Sequence, residues 1–120
     1  RAYDVVGRYG GEEFLVLFPG WDPTIASGRI DDLLGAIRAR PFVACDTEIR
    51  LTCSIGVATF RPGLDAPSLR EVLSRADTAL YVAKNSGRNC ARYESREATN
   101  RLTASDLVVT SPVGDPVQKS

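Results

Sequence analysis

The sequence contains no histidine among its 120 residues. Histidine is the commonest transition-metal ligand and general base, and without it Ser-His and Cys-His nucleophile pairs are also excluded. The three cysteines, Cys45, Cys53 and Cys90, are odd in number and have no CxxC spacing, which argues against a disulfide framework or a zinc site. Any chemistry must therefore depend on carboxylates, lysine, arginine and backbone groups.

An excess of one charge and a long apolar run are also absent. Fifteen basic and fifteen acidic side chains balance, so composition gives no reason to expect a nucleic-acid polymer as a partner. No apolar run in the sequence approaches the ~20 residues that span a bilayer. The chain does not begin with Met and has no signal-peptide pattern, so we expect it to be part of a longer protein.

Hydrophobic patterning in the first half of the chain predicts a β-hairpin, a helix and a second hairpin. The runs DVVGRYG and EFLVLF meet at a Gly-Gly pair, which supplies the positive φ values of a tight turn, so residues 3–18 are predicted as the first hairpin. Apolar residues at helical spacing predict a helix over residues 24–39. In FVACDTEIRLTCSIGVATF, alternation from Ile49 to Ile55 predicts a half-buried strand that follows a polar DTE turn.

The second half of the sequence predicts a capped helix and a last short strand. Ser68 and Glu71 have the spacing of a capping box ahead of an apolar stripe, and Gly87 is suited to end that helix. NCARY is predicted as the last strand, after which the composition has no clear period. We therefore predict an α+β domain over residues 1–95, with a central, mostly antiparallel sheet and flanking helices, and a flexible tail or linker over residues 96–120.

The predicted tip of the first hairpin combines glycines with carboxylates. Gly10 and Gly11 have no Cβ, so a large ligand such as a nucleotide can approach the backbone closely. Glu12 and Glu13 follow at once, and hard carboxylate oxygens suit Mg²⁺ together with phosphate. The alternative is a solvated turn with two surface acids. Taken by themselves, these four residues favour that alternative.

Two further charged pairs permit two interpretations each. Lys84 and Arg88 are four residues apart at a predicted helix end, where they could share a face and bind a polyphosphate, or simply complement the helix dipole. Arg1 and Asp4 could recognise a guanine, or form a surface ion pair worth ~0–1 kcal/mol. Each pair alone favours the simpler interpretation.

Taken together, these segments resemble the GGDEF domain family, the diguanylate cyclases. RYGGEEF, LTCSIGVATF and LSRADTALYVAKNSGRNCARY occur in the order and spacing of that family, over residues 1 to about 95. The resemblance implies a fold like that of the class III nucleotide cyclases and the polymerase palm. It also implies condensation of two GTP molecules, one on each protomer of a homodimer, into cyclic di-GMP with loss of pyrophosphate.

The resemblance also implies roles for individual residues. Glu12 and Glu13 match the acids that ligate Mg²⁺ or Mn²⁺, and Glu12 would help to activate the attacking hydroxyl. Gly10, Gly11, Lys84 and Arg88 match the residues that bind GTP. Arg1 and Asp4 match the RxxD site, which five residues separate from the first glycine and at which cyclic di-GMP inhibits its own synthesis. An additional arginine often completes that site in the family, but Asp32 falls near its place here, with Arg29 one turn earlier.

The main departure from the family is at the N-terminal side. The family's N-terminal part carries the first sheet strand, the first metal-binding aspartate and the guanine-reading residues, and these precede the portion matched here. We therefore expect this polypeptide alone to be inactive and marginally stable, with its sheet lacking a central strand. The catalytic domain is expected to be cytoplasmic, in a protein that can also carry sensor or membrane domains.

Two alternatives to the enzyme remain open from the sequence. One is a degenerate GGDEF module that senses cyclic di-GMP or GTP without synthesising product. The other is a regulatory GTP-binding domain fused to a phosphodiesterase, although no EAL-type stretch occurs after residue 95.

Overall fold

The computed structural model describes residues 2–21, 23–60, 68–94 and 105–112. Within these residues it has seven strands and two helices, in the order β1 (Val5–Gly10), β2 (Glu13–Trp21), α1 (Pro23–Ala39), β3 (Phe42–Ala44), β4 (Thr47–Ile49), β5 (Ile55–Phe60), α2 (Leu69–Asn85), β6 (Ala91–Tyr93) and β7 (Ser105–Pro112). Neither helix in this part of the chain has the length and apolar character that crossing a membrane requires.

Five of the strands form one sheet in the order β1-β2-β7-β5-β6, and β3 and β4 form a separate two-stranded sheet. The pairings are antiparallel except for the parallel pair of β5 and β6, which α2 connects as a crossover helix. This arrangement confirms the predicted α+β fold with a central, mostly antiparallel sheet and flanking helices.

The two helices cover opposite faces of the five-stranded sheet. Side chains along a strand alternate between faces, and β2 shows this directly. Val16 and Phe18 pack in a cluster with buried residues of α1, whereas Leu15 and Leu17 pack in a second cluster with buried residues of α2. We call these the α1 face and the α2 face of the sheet.

Small residues allow α2 to lie close to β5. Ala76, Ala79 and Ala83 of the helix are buried against the sheet. At Gly56, a Cβ atom would overlap the carbonyl oxygen of Ala76 and lie 2.7 Å from the Cβ of Leu80. Since real Cβ atoms do not approach other atoms so closely, the position of α2 over the sheet depends on glycine at residue 56.

The ends of α2 follow the sequence prediction. The Glu71 amide donates to the Ser68 hydroxyl at 3.2 Å, and the Ser68 amide donates to the Glu71 carboxylate at 2.9 Å, so the capping box is confirmed. Gly87 has φ +104° directly after the C-cap residue Ser86, which confirms its role in ending the helix.

The second predicted hairpin is wrong in its extent. β3 and β4 turn at Cys45 and Asp46, which both have positive φ, as a two-residue hairpin turn allows. The alternation from Ile49 to Ile55 does not correspond to one half-buried strand, because β4 ends at Ile49 and the separate strand β5 begins at Ile55. Residues 53–58 are all buried, since both faces of β5 are covered.

Residues 105–112, which the sequence analysis placed in a flexible tail or linker, form β7 in the interior of the sheet. β7 pairs with β2 from Glu13–Pro112 to Trp21–Ser105, and with β5 from Gly56–Thr110 to Phe60–Asp106. The expectation that the sheet lacks a central strand is therefore wrong, because β7 provides backbone hydrogen-bond partners on both sides. The remainder of 96–120 lies outside the described residues, and the boundary at residue 95 stays a prediction.

The close approach of α2 to β5 predicts a large effect of one methyl group. Gly56→Ala should lower the free energy of unfolding by about 3 kcal/mol, because the added Cβ forces the helix backbone away from the sheet. Gly28→Ala is the control, since nothing lies within 4 Å of a Cβ at this helical position. That change should stabilise the protein by roughly 0.5–1 kcal/mol. Urea denaturation of both variants measures the difference, and equal midpoints would contradict the packing described.

The interior position of β7 predicts sensitivity to proline. Val109 pairs with Val16 on one side and Val57 on the other, so Val109→Pro should remove a ladder hydrogen bond and cost roughly 1–3 kcal/mol. Val43→Pro, in the separate β3–β4 hairpin, should leave the midpoint for the main sheet nearly unchanged. A flexible tail would tolerate proline, so an unaltered thermal denaturation of the Val109 variant would restore the original prediction for this segment.

Candidate active site

The predicted hairpin tip is present, with a two-residue turn. Gly10 and Glu13 are partners in the β1–β2 ladder, which leaves Gly11 and Glu12 between them. Gly11 has φ +49°, a conformation that glycine adopts without a Cβ penalty. Of the predicted Gly-Gly pair, therefore, only Gly11 lies in the turn, together with Glu12, and Gly10 and Glu13 flank it as ladder partners.

A β-bulge lies directly before this turn. Arg8 pairs with Phe14 and Gly10 pairs with Glu13, so Tyr9 is an extra residue on β1. Across the bulge, the Nε and Nη2 atoms of Arg8 donate to the carbonyl oxygen of Gly11 at 3.0 and 2.8 Å. Arg8 could not be recognised from the sequence, because this contact depends on the bulge; the only signal was an arginine two positions before the glycine pair.

The two acidic side chains differ in exposure and direction. Glu12 is exposed in the turn, and Glu13 is half-buried at the start of β2. By strand alternation Glu13 belongs to the same face as Leu15, which packs toward α2. Around the turn, Cβ atoms placed on Gly10 or Gly11 would meet nothing within 4 Å. A ligand can therefore approach the backbone beside both carboxylates.

The register of the sheet relates this turn to the end of α2. Leu15, Thr110, Gly56 and Arg92 are successive partners and form one row across β2, β7, β5 and β6. Between this row and the side of the sheet that carries the turn lie the first residues of β2, β5 and β6 and the last residues of β7. We call this side of the sheet the hairpin edge. Residues 86–90 connect α2 to the start of β6, so the C-terminal end of α2 also lies at the hairpin edge.

The hairpin edge therefore brings the acidic turn and the cationic end of α2 to the same side of the sheet. β2 and β6 are three strand spacings apart, roughly 14 Å. Glu13 and α2 also share the α2 face. The structure thus places on one side of the sheet groups that are about seventy residues apart in the sequence.

Lys84 and Arg88 both lie at this end of α2, but they do not share a helical face as predicted. Lys84 is in the last helical turn, whereas the helix ends at Asn85 and Arg88 follows Gly87 with φ +62°. The shared-face prediction is wrong because Gly87, Arg88 and Asn89 all have positive φ and carry the chain away from the helix direction. Arg38 of α1 donates to the Asn89 side chain at 3.3 Å, which connects this loop to the other helix.

The predicted inhibitory pair is only partly within the described residues. Asp4 is half-exposed just before β1, and Arg1 lies outside the described residues. Arg29 and Asp32 are exposed on α1. The RxxD site stays a prediction.

The chemistry of the turn fits a divalent metal shared with a substrate. Mg²⁺ is usually held by one or two carboxylates together with phosphate oxygens and water. Glu12 and Glu13 supply two carboxylates beside open backbone. No cluster of three or more His, Cys, Asp or Glu side chains suited to a metal occurs in the described part of the chain. The two carboxylates at the turn suit a metal whose other ligands are phosphate oxygens and water.

A separate groove of about 380 Å³ lies between α2 and β6, and no residue of the turn lines it. Beside it, Arg75 and Glu94 form an ion pair at 3.0 Å. Glu94 also accepts hydrogen bonds from the Thr59 amide at 2.9 Å and the Thr59 hydroxyl at 3.2 Å. These contacts tie β5, β6 and α2 together, so we interpret the charges at this groove as structural.

Comparison with known proteins identifies the family of this fold and site. Residues 1–90 match the family described as "Diguanylate cyclase, GGDEF domain". The chain belongs to the GGDEF domain family. The family resemblance seen in the three sequence segments is thereby confirmed.

Several curated relatives of this GGDEF domain are named as cyclases. Over 89 residues, 74% of this chain, it is 39% identical to diguanylate cyclase DgcP and 37% identical to the bifunctional diguanylate cyclase/cyclic di-GMP phosphodiesterase MucR, both of Pseudomonas aeruginosa. It is 33% identical to diguanylate cyclase A of Treponema denticola over the same share. The chain spans 13% of the first two relatives and 24% of the third. No solved structure matches the chain.

The geometry of this GGDEF domain predicts which NMR signals a bound paramagnetic ion broadens. Substoichiometric Mn²⁺ should broaden the NMR signals of Gly11 to Phe14 most, and those of residues 84–91 to a smaller extent. Phe60 lies roughly 17 Å further along β5 from the hairpin edge, so its signal should persist. Diamagnetic Mg²⁺ is the control for shifts without broadening. Broadening centred on the β3–β4 hairpin would show that the turn is not the metal site.

Proposed function

We propose that this GGDEF domain is the catalytic domain of a diguanylate cyclase, which converts two GTP into one cyclic di-GMP and two pyrophosphates. The observation that supports this function is the placement of an open acidic turn and a cationic helix end on the same side of the sheet, the hairpin edge. A magnesium-bound triphosphate requires both groups, carboxylates for the metal and cations for the phosphates not held by it. The names of the curated relatives favour the same reaction.

Each residue of the site has a role in this proposal. Gly10 and Gly11 let GTP lie against the backbone of the turn, where no side chain obstructs it. Glu12 and Glu13 would hold Mg²⁺ or Mn²⁺, and the bound metal would offset phosphate charge and make the attacking hydroxyl more acidic. Lys84 and Arg88, at the end of α2 on the hairpin edge, bind the phosphates. Lys84 acts as a point charge and Arg88 as a planar donor.

The reaction consists of the same displacement carried out twice. The 3′-oxygen of one GTP forms a bond to the α-phosphorus of the other, and the bond from that phosphorus to the β-phosphate oxygen breaks. Pyrophosphate leaves, and the hydroxyl proton is lost to solvent with assistance from Glu12. Because two GTP molecules must face each other, a second copy of the domain supplies the second nucleotide, so the active form is a homodimer.

Product control and cellular location are further parts of the proposal. Arg1 and Asp4 would bind cyclic di-GMP and lower the rate of synthesis as product accumulates. A cytoplasmic location of the catalytic domain stays a prediction.

One observation favours a second candidate function, a module that binds nucleotide without synthesis. Only two carboxylates lie at the turn, and the described residues contain no larger acidic cluster. For the same reason we expect the 120-residue chain alone to bind Mg²⁺·GTP without measurable turnover. In the nucleotide-binding module, Glu12 is needed only to bind Mg²⁺ and GTP. In the cyclase, Glu12 is also needed for the synthesis of cyclic di-GMP.

Substitution of Glu12 tests the proposed site. Glu12→Gln should weaken Mg²⁺-dependent binding of GTP by at least about tenfold, because an amide is a poor magnesium ligand. Glu48→Gln is the matched control, since Glu48 is an exposed carboxylate in the separate β3–β4 hairpin. Isothermal titration calorimetry with GTP, at fixed Mg²⁺ and after its removal with EDTA, measures both variants.

The same variant separates the enzyme from the sensor. Titration with cyclic di-GMP should give the wild-type affinity in the Glu12 variant, because Arg1 and Asp4 are unchanged. In a protein that completes this domain, loss of cyclic di-GMP synthesis with retained cyclic di-GMP binding supports the enzyme. Wild-type GTP affinity in the Glu12 variant would contradict a metal-nucleotide site at the turn.

A further inference from the structure

We propose that Arg8 is a positioning residue that fixes the direction of the Glu12 carboxylate. Its guanidinium donates two hydrogen bonds to the Gly11 carbonyl oxygen, at 3.0 and 2.8 Å. That oxygen and the Glu12 amide belong to one planar peptide unit. By holding the oxygen, Arg8 therefore sets the orientation of the backbone from which the Glu12 side chain extends. The inference rests on the proposed function of the turn as a metal-nucleotide site.

Apart from the backbone pairing of Gly10 with Glu13, the turn has few other restraints. β1 is an edge strand of the sheet, and all six of its residues are exposed. Gly10 and Gly11 have the largest conformational freedom of any residue type and have no Cβ to pack against a neighbour. Glu12 is itself exposed, so no core contact holds it. A carboxylate that must meet a metal at a defined place needs a restraint that packing does not supply here.

The bulge at Tyr9 makes this restraint possible. With one extra residue on β1, the pairing passes from Arg8–Phe14 directly to Gly10–Glu13. Bulges bend a strand and change the aim of nearby side chains. Here the Arg8 guanidinium extends toward the turn and contacts the carbonyl oxygen of Gly11, three residues later in the chain. Both donors of the guanidinium converge on that one oxygen, so they hold its position more firmly than a single donor would.

An electrostatic role for Arg8 is the competing explanation, and lysine distinguishes the two. Arg8→Lys keeps the positive charge near Glu12 but replaces the planar fork with one ammonium group. If charge alone matters, this variant behaves as wild type. If the fork matters, the turn loosens and metal-nucleotide binding weakens. Because Arg8 is exposed on an edge strand, the substitution leaves the hydrophobic core intact.

The experiment uses the 120-residue chain with two readouts. In ¹⁵N relaxation, the order parameter of the Glu12 amide should fall from about 0.85 to below about 0.6 in Arg8→Lys. In calorimetry with Mg²⁺·GTP, the dissociation constant should rise about tenfold. Arg50→Lys is the matched control, an exposed arginine that pairs with Glu48 at 3.5 Å in the β3–β4 hairpin. It should change neither readout.

Each result has a defined meaning. A lower Glu12 order parameter together with weaker Mg²⁺·GTP binding supports the positioning role. An unchanged order parameter overturns it, and so does a loosened turn that binds Mg²⁺·GTP with wild-type affinity. If the wild-type chain binds no Mg²⁺·GTP at all, the proposed function of the turn fails, and the positioning role falls with it. Glu12 order parameters then show separately whether Arg8 restrains the backbone.

Discussion

The pairing of β7 with both β2 and β5 is the interaction on which the rest of this structure depends. No other strand in the described residues connects the β1–β2 hairpin to β5 and β6. Each buried amide and carbonyl of β2 and β5 needs a partner, and β7 supplies it on both sides. The same pairing sets the register that aligns the start of β2 with the starts of β5 and β6. Without it, the acidic turn and the end of α2 would have no fixed relation.

Packing of α2 on the sheet supplies the second half of that relation. Register fixes positions within the sheet, but the height of Lys84 above it depends on how closely the helix approaches. The backbone of α2 packs closely against β5 because residue 56 is glycine and residues 76, 79 and 83 are buried alanines. Larger side chains would move the cationic end of α2 away from the turn. The small residues of the core are thus part of the geometry of the site.

Local signals in the sequence were sufficient for the elements whose partners are near in the chain. The Gly-Gly hairpin, the Ser68–Glu71 capping box and the terminator Gly87 each depend on contacts within a few residues. β7 was missed because its short apolar run LVV lies among Ser, Asp, Thr and Pro, and its partners are distant in sequence. Arg88 was misplaced for a related reason, since three consecutive positive φ values after α2 are not evident from residue type.

A metal-binding role would impose opposite demands on the turn, and the bulge that brings Arg8 to Gly11 was not evident from the sequence. A carboxylate that binds a metal together with a substrate must be exposed, so the hydrophobic core cannot hold it in place. It must also be directed, because a misplaced ligand loses much of its effect. Where a residue has no side chain, as at Gly11, its backbone carbonyl can still accept a hydrogen bond that fixes the direction of the chain. A forked cation on the adjacent strand can hold one of them without covering the glycines. If the acids and glycines of this turn bind a metal and a nucleotide, as proposed, the contact of Arg8 with the Gly11 carbonyl oxygen supplies the direction that packing does not.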